Sequence, residues 1–217
     1  MQIKLKKGKD SKWYNMPDTW NELPLDKYMS VMSYLTNEKT TDHTRLVMMI
    51  HHLTDIPEQD LWDMTLADLS KINEVMSSLL KSEPNQELKH ILNIKGKKYG
   101  FNPKLKNVSL GEFVDIEQCI RDGMYENLHT LLSILYRPII KEDGDKYLIE
   151  EYEPSEERAN LFRDNLKVHD INGASVFFYA LGAQLLETMA VYLKEETMKE
   201  RLIQFKKSGD GMKSSIS

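Results

Sequence analysis

Residues able to do chemistry are sparse in this chain, and none falls at a spacing that builds a reaction centre. His51 and His52 are adjacent, and on a helix successive side chains fan about 100° apart, so the pair is not expected to share a metal. HExxH, CxxC and clustered acid–histidine patterns are absent. Gly96 and Gly100 read as turn residues and Gly209-Asp210-Gly211 lies in the tail, so no glycine-rich loop is placed to cradle a phosphate. There is no nucleophile elbow for a serine hydrolase. Cys119, the single cysteine, falls inside a helical pattern and reads as a small packing residue. One cysteine excludes an intramolecular disulfide and fits a reducing compartment. The expectation is a protein with no catalytic residues, no cofactor and no metal.

Charge is the more informative signal. The net charge is −5, and the basic residues are mostly lysine, with only six arginines. Bidentate phosphate recognition, which favours arginine, is therefore not a theme of the chain. The lysines nevertheless crowd two places. Lys6, Lys7 and Lys9 sit with Lys4 and Lys12 near the N-terminus, and Lys95, Lys97 and Lys98 form a second group. Lysine on an exposed strand discourages edge-to-edge pairing. The same residues could contact a phosphate backbone or an acidic protein, including the acidic segment of a neighbouring copy of this chain.

These two lysine groups belong to a larger pattern. When the sequence is slid against itself by 85 positions, residues 12–52 fall on 97–137 without a gap over 41 residues. Tyr14 meets Tyr99, Met16 meets Phe101, Leu25 meets Leu110, Val31 meets Ile116, and Leu46-Val47 meets Leu131-Leu132. Identities are few, but apolar class stays in phase. The fold class this implies is mainly α with short β-hairpins (α+β), built from two related hairpin-plus-helices units. The first is expected over 1–84. The second, over 85–207, is enlarged by an acidic insertion and a long C-terminal helix, and 208–217 forms a Gly- and Ser-rich tail expected to be mobile.

Local signals place the elements. Ile3 and Leu5 against Trp13 and Met16 suit a hairpin turning at Gly8-Lys9-Asp10-Ser11. Leu25, Tyr28, Met29, Met32 and Leu35 recur at helical spacing after Pro24. A second helix carries Leu46, Val47, Met49, Ile50 and Leu53, and a short one follows Pro57. Thr65 to Asp68 resembles a capping box opening a helix that runs towards Pro84. The second hairpin turns at Lys95-Gly96-Lys97. Ser109-Leu110-Gly111-Glu112 is the clearest capping box, Gly123 ends its helix, and Leu128 to Leu135 make the next helix, up to Pro138. Residues 139–160 hold eight acidic residues against three basic ones. Within them Tyr147-Leu148-Ile149 reads as a strand after a Gly144 turn, and Pro154-Ser155-Glu156-Glu157 as a helix start.

The last helix is expected from about Ala174 to Lys206, about 50 Å long. Its first half is apolar on several sides and its second half is charged. Isolated helices are marginal in water, so Leu202, Ile203 and Phe205 call for a partner surface. Phe177, Leu181 and Tyr192 complete this candidate interface. The longest uncharged apolar run, Ile171 to Leu186, is 16 residues and includes Asn172, Gly173 and Gln184. It is too short and too polar for a comfortable membrane span, and the N-terminus has no apolar stretch of signal-peptide length.

Two motifs carry a resemblance. Tyr14-x-Met16-Pro17-x-x-Trp20-Asn21-Glu22-Leu23-x-Leu25-x-x-Tyr28, and Ser109 to Phe113 with Asn127-Leu128-His129 and Leu135-Tyr136-Arg137-Pro138, resemble segments of small, mostly helical tailed-bacteriophage proteins. These belong to the virion-assembly region, linked to tails, necks or tail-assembly chaperoning. The motifs cover about half the chain and are packing motifs, so no functional residue transfers from them. The resemblance implies a structural or assembly protein of the head–tail or tail apparatus. Its expected partners are other virion or assembly proteins and copies of itself, and its expected location is the infected host's cytoplasm and the virion. A chaperone that leaves the particle, and a nucleic-acid-associated protein using the lysine hairpins, are the alternatives.

Overall fold

The computed structural model describes residues 2–7, 10–81, 87–102, 108–144, 146–171 and 173–174. The candidate interface at Phe177, Leu181, Tyr192, Leu202, Ile203 and Phe205 lies outside them, as do Lys9, the long helix and the tail. The described residues form a mixed α+β fold with two antiparallel sheets, and all fall in one unit, Met1–Val176.

Strand β1 (Gln2–Lys7) pairs antiparallel with β2 (Asp10–Asn15). Lys7 pairs with Asp10, so Asp10 and Ser11 belong to the strand rather than to a four-residue turn. Alternation explains the hairpin's placement. Tyr14 and Met16 are buried and Trp13 and Asn15, which alternate with them, are exposed, so one face covers the core and the other looks outward. After a 3-10 turn at Trp20–Glu22 come α1 (Leu25–Thr36), α2 (Asp42–Thr54), α3 (Glu58–Trp62) and α4 (Leu66–Lys81). Val31, Val47, Ile50, Leu53, Ile56 and Leu61 lock these elements into one apolar cluster with Tyr14, Met16 and Trp20. At the start of α4 the Thr65 hydroxyl accepts the Asp68 amide at 3.2 Å. The Asp68 carboxylate takes the Thr65 hydroxyl at 2.8 Å, where a full capping box would have it take the backbone amide.

The second half repeats the order. Strand β3 (Ile91–Ile94) turns into β4 (Lys97–Phe101) through Lys95 and Gly96, whose φ angles of 50° and 80° define a two-residue I′ loop. Lys97 is therefore in the strand, not the turn. Helices α5 (Leu110–Arg121) and α6 (Leu128–Leu135) follow. The span of α5 is that of α1 advanced by 85 positions, residue for residue. The capping box is complete: the Ser109 hydroxyl accepts the Glu112 amide at 3.2 Å, and Glu112 Oε2 takes the Ser109 amide at 2.7 Å.

The halves then diverge. The helical reading up to Pro138 is corrected by β5 (Tyr136–Asp143), which starts directly after α6 and pairs with β4 and with β6 (Lys146–Ile149). Pro138 cannot continue a helix, and in the strand it stands where β5 changes partner. Tyr136 to Pro138 pair with β4, and from Ile139 the strand pairs with β6, with a bulge between Ile139 and Lys141. Helix α7 (Glu156–Asn165) opens on Ser155, whose hydroxyl accepts the Arg158 amide at 3.2 Å.

Helix α7 and the residues after it return to the first half. The Leu25 amide donates to Leu166 O, and the Val168 amide donates to Leu23 O, both at 2.9 Å. Lys167 Nζ stands 2.6 Å from Glu22 Oε2, and this contact holds the Glu22 carboxyl below its ordinary pKa. Trp20, Tyr28 and Tyr125 meet edge to face across the same junction. The boundary drawn at 84 falls in 82–86, outside the described residues, and the elements on its two sides share this packed interface.

Candidate functional site

Of the sequence-derived lysines, Lys6 and Lys7 lie on β1, and Lys95 occupies the left-handed turn position. Lys98 Nζ meets Glu142 Oε2 of β5 at 2.7 Å. Lys97 Nζ lies over the Tyr99 ring, 5.8 Å from its centroid, and Lys12 lies over Tyr14 in the same way at 5.1 Å. Lys12 and Tyr14 are Lys97 and Tyr99 moved back by 85 positions, so both hairpins build the same lysine-on-tyrosine contact. In the second half this basic edge faces acid from its own chain.

A cleft of about 870 Å³ opens beside α7. Its floor includes Lys97 and Tyr99 from β4 and Pro138 from β5. Glu150, Glu151 and Glu153 rise on one side, with Glu157 and Asp164 of α7 on the other. Arg158 is a half-buried cation of the cleft, and its guanidinium is committed: Nε donates to Ser133 O at 3.0 Å and Nη2 to Glu153 O at 2.9 Å. Burial holds its pKa below the ordinary arginine value. Burial also raises the Tyr99 phenol, which meets Phe162 edge to face. A carboxylate-rich mouth over a tyrosine favours cationic side chains and repels phosphate.

The isolated chemistry-bearing residues fit packing. Cys119 is buried, and burial with Asp115 and Asp122 nearby pushes its thiol up to about 11, which keeps it a thiol at neutral pH. The His51 and His52 rings come within 5.0 Å, nearer than their helical fan-out implies. His51 Nδ1 is 2.7 Å from Ile56 O, and the His52 ring stacks on Tyr34. Among the described residues no group of three or more His, Cys, Asp or Glu side chains could hold a metal ion.

Exposed apolar side chains are the remaining feature. Met29 of α1 is 8% exposed and Leu25 is sealed at 0% by the Leu166–Val168 segment. The residues 85 positions on, Leu110 and Val114 of α5, are 78% and 49% exposed. The two pairs fall on one another when the sequence is slid by 85 positions, so apolar class alone does not tell the buried pair from the exposed one. What separates them among the described residues is the 166–168 segment, whose backbone bonds to Leu23 and Leu25 at the start of α1.

The cleft was not legible in the sequence, since its walls come from β4, β5 and α7. Among the described residues no helix is long and apolar enough to cross a membrane. Comparison with protein-family models, curated proteins and solved structures finds no match to this chain.

Proposed function

We propose that this chain is a non-enzymatic structural or assembly protein of a tailed bacteriophage, working in the head–tail or tail apparatus through contacts with other virion proteins. The phage assignment rests on the two packing motifs, at residues 14–28 and 109–138. Contact with partners rests on one observation: Leu110 and Val114 are exposed at positions whose counterparts in the first half, Leu25 and Met29, are buried. An exposed apolar pair on a regular helix is the usual form of a docking face. The acids beside Lys97 and Lys98 weigh against a phosphate-binding stripe, and so against the nucleic-acid alternative.

Mass spectrometry of purified particles of the source virus tests the virion reading, with the chain expected at stoichiometric level. Its absence from particles, with co-purification from infected cells, would support the chaperone alternative. Leu110→Asp with Val114→Asp is expected to leave the fold intact and lose co-purified virion proteins. Retention of the same partners would remove α5 as the docking face. Binding to DNA that falls steeply with salt would overturn the assignment in favour of the nucleic-acid reading.

A further inference from the structure

Among the described residues, strand β6 is the outer strand of the four-stranded sheet and pairs with β5 alone. Such an edge presents a row of backbone donors and acceptors, a template for another chain. Leu148 on β6 is 55% exposed and Ile140 on β5 is 58% exposed. Exposed carboxylates at Glu142, Asp143, Glu150, Glu151 and Glu153 surround them and outnumber the exposed Lys141 and Lys146 of the same two strands. The edge is thus apolar at its centre and acidic at its rim.

The chain itself shows what such a rim accepts. In the second half a lysine-bearing hairpin lies against this acidic segment, with β4 paired to β5 and Lys98 bonded to Glu142. The first hairpin has the same build, down to Lys12 over Tyr14, but among the described residues its sheet has two strands. Strands β1 and β2 carry Lys4, Lys6, Lys7 and Lys12 against the single acid Asp10. Trp13, 57% exposed, is on the face opposite Tyr14, with Lys4 as its register partner across the hairpin, and Lys12, also exposed, lies over Tyr14 on the other face.

We propose that the β1–β2 hairpin of one copy docks on the β5–β6 edge of a second copy, lysines on the acidic rim and Trp13 towards Leu148. The two surfaces differ and every copy carries both, so the contact is head-to-tail and generates a ring or an open filament rather than a closed dimer. The contact goes beyond the proposed function. It uses a surface separate from α5 and does not depend on the phage assignment.

The test is sedimentation velocity on the full chain with two charge-reversed variants, Lys4→Glu/Lys12→Glu and Glu151→Lys/Glu153→Lys. The unaltered chain should associate with rising concentration at low salt and dissociate at roughly 0.5 M, where the Debye length is only a few ångströms. Each variant alone sets like charge against like and should associate about tenfold more weakly or worse. Mixed one to one they should co-assemble, because every junction is then between opposite charges. That recovery also shows both variants to be folded. Leu148→Asp, at an exposed position, should abolish association without reversing a charge. An unaltered chain monomeric under all these conditions would overturn the proposal. So would variants that associate normally alone, or folded variants that stay monomeric when mixed. Association lost in Leu110→Asp/Val114→Asp but kept in both charge variants would place self-contact on α5 instead.

Discussion

Arg137 Nη2 stands 3.2 Å from Glu112 Oε1, and the two side chains are only 8% and 6% exposed. The pair ties the start of β5 to the first turn of α5. Glu112 also caps that helix and accepts Asn102 Nδ2 at 3.3 Å. Removing one member of a buried pair strands the other charge, which costs roughly 3–5 kcal/mol. Arg137→Met is therefore expected to lower stability by about 3 kcal/mol, as read from urea unfolding. Adding Glu112→Gln should recover part of that loss, because the amide no longer buries an unpaired charge. A double variant as unstable as the sum of the singles would show that the pair does not act as a unit.

Tyr147 reaches from β6 across β5 and covers Gly100. A Cβ on Gly100 would lie 2.5 Å from the Tyr147 ring and 2.9 Å from Ile149 Cγ2. The ring is pinned, since its hydroxyl donates to Phe101 O at 2.7 Å. Gly100→Ala is expected to cost about 1–3 kcal/mol by overpacking. In a Tyr147→Ala background the same change should cost markedly less, a coupling that a double-mutant cycle in urea would measure.

Gly173 faces a harder obstacle. A Cβ there would fall 2.3 Å from the Leu88 amide nitrogen and Cα, which are backbone rather than the tip of a side chain. Gly173→Ala should therefore destabilise more than Gly100→Ala, by about 3 kcal/mol or more. Equal thermal midpoints for the two variants would contradict this ranking.

His52 and His129 set a pH dependence. Burial is the main cause lowering both pKa values, helped by His51 and Lys27 at the first and by Arg163 at the second. The unfolded chain then takes up protons that the folded chain declines. Their contribution is present above the ordinary histidine pKa near 6.5 and is lost as pH falls through it and below. Urea midpoints should drop between roughly pH 7.5 and 5.5, and His129→Gln should flatten the drop. An unchanged slope in that variant would assign the effect to other groups.

Legibility in the sequence followed the range of the interaction. The capping box at Ser109 and Glu112 is complete within four residues, and the I′ turn at Lys95-Gly96 is equally local. The matching spans of α1 and α5 were legible because apolar phase is kept where identity is not, as Val31 and Ile116 show, both buried. Strand β5 was not, since Tyr136 to Pro138 become a strand only through pairing with β4, 35 to 39 positions earlier. The partner of Lys98 lies 44 residues away, and the cleft draws on three separate segments. No periodicity of one segment carries such information.

Leu25 and Leu110 make the sharpest test of how the repeat is used. Both are the first residue of a twelve-residue helix, both are leucine, and they are 85 positions apart. If helical pattern alone decided their role, they would respond alike to truncation. Leu25 is fully buried, with its amide bonded to Leu166 O at 2.9 Å, whereas Leu110 is 78% exposed. Leu25→Ala should cost about 2–5 kcal/mol, the range for a buried leucine. Leu110→Ala should stay within about 0.5 kcal/mol of the unaltered chain. Urea unfolding of both variants in the isolated protein checks the pair, at equal m-value so that only stability is compared. A Leu110→Ala cost near that of Leu25→Ala would mean that α5 is already covered in solution, and the partner face would have to be sought elsewhere.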